Sequence, residues 1–140
     1  MTIEEKQQEL VDMFADIDEQ MDRYALVIDL GTEQPPYPDE LKTPDRLIEG
    51  CQSNVWLDAE LDSDGKVIFR ADSNSSFVKG MIALLVQVLS GQTPDDILNA
   101  DLHFIKEIGL NEHLSPRRSN GLLAMLKQMR AYAAAFKMKA

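Results

Sequence analysis

The sequence predicts an α+β fold: a small antiparallel sheet of about three strands packed on a central buried helix, with N-terminal helices before it and a long C-terminal helix after it. Three observations carry this. Residues 54–61 and 66–72 alternate apolar and polar side chains on either side of Asp62-Ser63-Asp64-Gly65, the pattern of a hairpin with one buried face. Residues 77–89 are apolar nearly all round, as an interior helix would be. Leu122, Leu123, Met125, Leu126, Met129, Tyr132, Ala133 and Phe136 recur at helical spacing near the end of the chain.

The elements follow in order. Thr2 with Glu5 forms a capping-box pattern that opens a helix. Ile3, Leu10, Phe14, Ile17 and Met21 give that helix an apolar face, and Glu4, Glu5 and Glu9 suit the positive end of its dipole. A second helix is expected over 23–30, with Gly31 as its C-cap. Pro35, Pro36 and Pro38 around Tyr37 exclude helix and sheet interior, so 32–43 reads as an extended linker packed over the body.

Leu47-Ile48 is a candidate short third strand, which would make the segment around Cys51 a loop between two strands. In the hairpin, a three-residue loop with Gly65 left-handed pairs Leu61 with Val67, Ala59 with Phe69 and Leu57 with Ala71. A two-residue loop would slip the register by one and set Phe69 against Glu60. The cluster from Asp72 to Ser76 supplies helix-capping residues, Asn74 among them, before the central helix. Gly80 within that helix implies close approach to the sheet, and Gly91 ends it. Thr93-Pro94 opens a short helix, Phe104, Ile105 and Ile108 mark another closed by Gly109, and Ser115-Pro116 opens the last. Lys137 and Lys139 suit the C-terminal end of that helix, whereas Arg117 and Arg118 oppose the dipole at its start.

The 140 residues suit a single domain over 1–140 with its own core. The formal charge is −10, from 14 basic and 24 acidic residues, which disfavours nucleic acid and anionic lipid as partners. No apolar run reaches the roughly 20 residues of a membrane span. The first residues lack a basic start and an apolar signal core, and a single cysteine agrees with a reducing compartment, so the cytoplasm is the expected location.

That cysteine, Cys51, is the candidate reactive residue. Gly50 lets the chain turn sharply before it, and Glu49, Gln52, Ser53 and Asn54 surround it with polar groups. A thiolate is the strongest common side-chain nucleophile, and its reactivity follows exposure and local charge. The alternative is a small buried hydrophobe. A zinc site would need more converging ligands than one Cys and the distant His103 and His113. No phosphate-binding glycine loop, dinucleotide fingerprint or nucleophile-elbow serine is present. Two chemistries stay open. A Cys–His hydrolase would need His103 or His113 beside Cys51, with an orienting group such as Asn111. A sulfur carrier needs only an accessible thiolate that attacks a persulfide held by another protein.

Gly50-Cys51-Gln52-Ser53-Asn54-Val55-Trp56 resembles the cysteine motif of the SufE family, the sulfur acceptors of bacterial iron–sulfur cluster assembly. Asp72-Ser73 followed by Val78-Lys79-Gly80, the stretch from Leu114 to Leu122, and Pro38-Asp39-Glu40-Leu41 are similar to further family segments, in the same order over about 24–129. The resemblance implies a compact α+β fold and a persulfide on Cys51. It implies a SufS-type cysteine desulfurase as donor and the SufBCD scaffold as recipient. The chain itself would bind no cofactor, since pyridoxal phosphate resides in the desulfurase. It would act as a co-substrate that stimulates the desulfurase more than as an independent enzyme. Arg118 with Asn120 matches the family pattern at the start of the last helix, a resemblance that would set them near the thiol loop, and Asp72 begins the segment in which this chain has Asn74 where the family often has an acid. A sister branch serving a different desulfurase shares the architecture, and Gln52-Ser53 favours SufE proper. Self-association into a homodimer is left open.

Overall fold

The computed structural model describes residues 1–51, 53–109 and 116–139, the side chains of Arg117 and Arg118 apart. Helices α1 (Ile3–Ala15) and α2 (Gln20–Thr32) come first, then two 3-10 turns, Asp39–Leu41 and Pro44–Arg46. Strands β1 (Val55–Leu61) and β2 (Val67–Ser73) form an antiparallel hairpin. Helices α3 (Ser76–Leu89), α4 (Pro94–Asn99), α5 (Phe104–Glu107) and α6 (Pro116–Lys139) complete the chain. Among the described residues, no helix is long and apolar enough to cross a membrane.

The capping box at α1 is formed: Thr2 Oγ1 accepts from the Glu5 amide, and Glu5 Oε1 accepts from the Thr2 amide. Two details of the helical region differ from expectation. The apolar face of α1 ends at Phe14, because the helix ends at Ala15; Met21 falls on α2 and is exposed. Gly31 does not cap α2, which runs one residue further.

Gly31 serves packing instead. A Cβ there would come within 2.7 Å of the Gly80 backbone nitrogen, and one at Gly80 would collide with the Val27 carbonyl. Gly80 thus marks a close approach of α3 to α2, not to the sheet. Two glycines let the helix backbones touch at a cost in helix propensity of about 1 kcal/mol each. Helix α3 also packs on β2, α1 and α6, and its Met81, Ile82, Leu84, Leu85, Val88 and Leu89 are wholly or almost wholly buried.

The hairpin has the expected register, with Leu57 opposite Ala71, Ala59 opposite Phe69 and Leu61 opposite Val67. Gly65 sits at φ 77°, and Asp62 Oδ1 accepts from the Asp64 and Lys66 amides, closing the turn. Among the described residues the sheet has two strands, not three. Leu47 makes only a single bridge to Trp56, because the 3-10 turn at Pro44–Arg46 leaves no room for a longer pairing.

Among the described residues two buried polar side chains, Gln7 and Gln92, were not foreseen. Gln7 is fully buried between α1 and the α4–α5 connection. Its Oε1 accepts from the Phe104 amide, and its Nε2 donates to Asp101 O and Glu4 Oε1. A buried amide with its hydrogen bonds made is tolerated where an unpaired one would not be.

Candidate functional site

Cys51 sits in the loop that leads into β1. The loop is fastened at both stems. Before it, the Ile48 amide donates to Val55 O at 2.9 Å. After it, the Asn54 amide donates to Asn74 Oδ1 at 3.2 Å, and Asn54 O accepts from Ser73 Oγ at 2.7 Å and from the Asn74 amide at 3.3 Å. Asn74 therefore locks the loop exit and does not cap α3. Ser75 does that, accepting from the Val78 amide. The acceptor that Asn74 supplies is an oxygen that a carboxylate would also supply.

Gly50 takes φ 91°, a left-handed conformation that an L side chain adopts only with strain, and a Cβ there would meet Ala124 Cβ of α6 at 3.4 Å. The turn lays Cys51 against the side of α6. Its Sγ is half-buried and donates to the carbonyl of Gly121, 3.6 Å away. Gly121 is itself buried, and a Cβ on it would stand 3.7 Å from Sγ. Burial pushes the thiol's pKa up, because a thiolate loses hydration there. The polar neighbours in the sequence promised an open thiol. The structure shows a sheltered one, held as the neutral S–H on a backbone carbonyl.

The other expected site residues are placed as follows. Asn120 is exposed on α6, directly before Gly121. Arg118 lies on α6 one turn before Gly121, with its side chain outside the description. Asp72 turns to other partners. Burial opposes its charge, but the Ser73 amide at 2.8 Å, Lys42 at 3.2 Å and Lys79 at 3.4 Å outweigh that and hold its carboxyl below the ordinary range. Lys42 in turn lies over the Trp56 ring, 5.3 Å from its centroid. Asp72 is thus the hub of a cluster joining the linker, β2 and α3.

His103 is committed away from Cys51. Its Nε2 contacts Glu4 Oε2 and its Nδ1 contacts Glu107 Oε2, both at 2.9 Å, which raises its pKa. With both ring nitrogens on carboxylates, it is not set up as a base for the thiol. His113 and Asn111, the other candidates of the hydrolase reading, and Ser115, the expected cap of α6, lie outside the described residues. Among the described residues, no group of three His, Cys, Asp or Glu side chains could hold a metal ion.

Gly121 falls within the family-like stretch from Leu114 to Leu122 but was given no role there, and it is the residue that receives Cys51. The available signal was a glycine inside a strongly helical stretch, which disfavours the helix and so invites a packing reason.

The family model SufE, described as Fe-S metabolism associated domain, matches residues 8–133. The chain is 40% identical over 128 residues to SufE-like protein 1, chloroplastic/mitochondrial, of Arabidopsis thaliana. That match takes in 91% of this chain and 34% of the plant protein, so the chain spans about a third of that relative's length. The fold is similar to the solution structure of a hypothetical protein from Thermus thermophilus, with a TM-score of 0.77 and 23% identity over 95% of this chain and 96% of that one. The family match runs from α1 almost to the end of α6 and through the sheltered cysteine loop, so the chain belongs to the SufE family of Fe–S metabolism proteins.

Proposed function

We propose that this protein is a sulfur acceptor and carrier that works through Cys51. SufE proteins work with a cysteine desulfurase, and the donor here is a desulfurase of the SufS type. The Cys51 sulfur attacks the outer sulfur of the donor's persulfide. The donor S–S bond breaks, its cysteine leaves as a thiolate that takes up a proton, and Cys51 holds the sulfur as a new persulfide. No electron is gained or lost overall. The sulfur then passes to an Fe–S scaffold, for which SufBCD is the candidate, and clearing the donor stimulates the desulfurase.

The observation that carries this reading is the seat of Cys51: a lone thiol on a loop fastened at both stems, resting on the Gly121 carbonyl. A carrier needs such a resting place, since an exposed persulfide would be lost to other thiols. Burial keeps the group protonated at rest, so docking must lift the loop off α6 and raise the thiolate fraction before attack.

The test is mass spectrometry of the protein after incubation with a SufS-type desulfurase, cysteine and pyridoxal phosphate. One sulfur atom should add to the wild-type chain and none to Cys51→Ser, with the fold unchanged. Loading of the serine variant would refute the assignment.

A further inference from the structure

A cavity of about 290 Å³ lies between the C-terminal end of α2, the outer edge of β2 and α3. Leu30, Phe69 and Val86 give it apolar walls, and Gln34, Arg70 and Ala71 add polar groups. Two of those groups are unsatisfied. Gln34 Nε2 and Arg70 Nε are buried and have no hydrogen-bond partner. Buried donors are normally paired, and an orphan is a reason to look for an absent acceptor.

The strand edge supplies a third donor. Val67 turns its N–H and C=O away from β1, toward Gln92 O at 2.8 Å and the Gly91 amide at 2.7 Å. The Phe69 amide points the same way, to Ser90 Oγ at 3.0 Å. By the alternation of an antiparallel ladder, Ala71 also directs its N–H and C=O outward. Among the described residues, nothing accepts from that N–H.

The three donors and the charge around Arg70 favour an anion, with Glu33 the one acid on the lining. Asp58 accepts from both Arg70 Nη2 and Arg46 Nε, so at this point two guanidiniums share one carboxylate. We propose that this cavity binds a small organic carboxylate with a short apolar body. The carboxylate, which accepts hydrogen bonds and donates none, would take the N–H groups of Gln34, Arg70 and Ala71. The apolar body would lie against Leu30, Phe69 and Val86. Glu33 on the lining leaves room for one refinement: an α-amino carboxylate would set its ammonium there. The site is separate from Cys51 and does not depend on the sulfur-carrier reading.

Titration of the 15N-labelled protein with isovalerate and with L-valine, followed by amide and side-chain NMR shifts, tests it. Saturable shifts at the Ala71 amide and the Gln34 side-chain NH₂ are expected, with L-valine the tighter ligand if Glu33 takes part and isovalerate if it does not. Gln34→Met removes one donor and should weaken binding about tenfold. Val86→Phe should fill the cavity and abolish binding. Spectral dispersion reports whether each variant folds, and Gln34→Met decides alone if Val86→Phe does not. No saturable shift with either ligand, or binding unchanged in Gln34→Met, would overturn the proposal and leave a cavity that holds only water.

Discussion

The sulfur of Cys51 rests 3.6 Å from the carbonyl oxygen of Gly121, a residue 70 positions further along the chain. Loop and helix are thus joined by a weak hydrogen bond at the thiol on which the proposed chemistry depends. A thiol is a poor donor, so this contact shelters the sulfur without holding it fast.

The first expectation concerns reactivity. Because burial raises the Cys51 pKa, alkylation by iodoacetamide near pH 7 should be slower than for a free thiol such as glutathione. The rate should climb with pH to a midpoint above the ordinary cysteine value near 8.5. Adding the desulfurase should speed it. A midpoint below the free thiol would show that the resting loop already exposes a thiolate.

Gly121→Ala separates stability from function. The new methyl makes an ordinary contact with Sγ at 3.7 Å, and helix propensity improves, so unfolding should cost up to about 1 kcal/mol more. It also takes the space beside Sγ where a bound sulfur would extend. Sulfur loading by the desulfurase should fall several-fold while the melting temperature holds or rises. Unchanged loading would mean that the persulfide points elsewhere.

Gly80→Ala should do the reverse of a helix-stabilising change. Its Cβ would strike the Val27 carbonyl, which is backbone and cannot swing aside. A loss of about 3 kcal/mol or more is expected from forcing α2 and α3 apart. Urea denaturation measures it. Gly31→Ala should behave similarly, since its Cβ meets the Gly80 backbone.

His103 gives stability a pH dependence. Glu4 and then Glu107 raise its folded pKa above the unfolded value near 6.5. The folded chain therefore binds the proton more tightly than the unfolded one. The gain is fully present below about pH 6.5 and is lost as pH rises through the folded pKa. Wild type should out-melt His103→Gln in mild acid, with the difference fading in base. A difference that grows with pH would contradict the ion-pair account.

Local periodicity made the hairpin readable. The register followed from alternation plus one glycine at the turn, because slipping Phe69 by one residue would have turned it out of the core. Capping at Thr2, Ser75 and Thr93 was equally local. What the sequence hid was contact between distant segments. Gly31 follows an apolar run and so resembles a helix stop, yet its reason is Gly80. Gln7 reads as a surface residue until the Phe104 amide and Asp101 carbonyl arrive to satisfy it. Cys51 looked open because only its chain neighbours could be inspected, and its cover comes from α6.

The stems of the cysteine loop also limit its travel. Ile48 and Asn54 are each bonded to the hairpin and each lie three residues from Cys51. A fully stretched chain covers at most roughly 3.6 Å per residue, so the Cys51 backbone can swing only about 11 Å from either tether, and its sulfur a side-chain length further, without breaking those bonds. Any protein that hands it an atom must therefore bring its own reactive group within that radius of the strand ends, and a donor buried deeper than this leash in its own cleft could be reached only by admitting the open end of the hairpin itself.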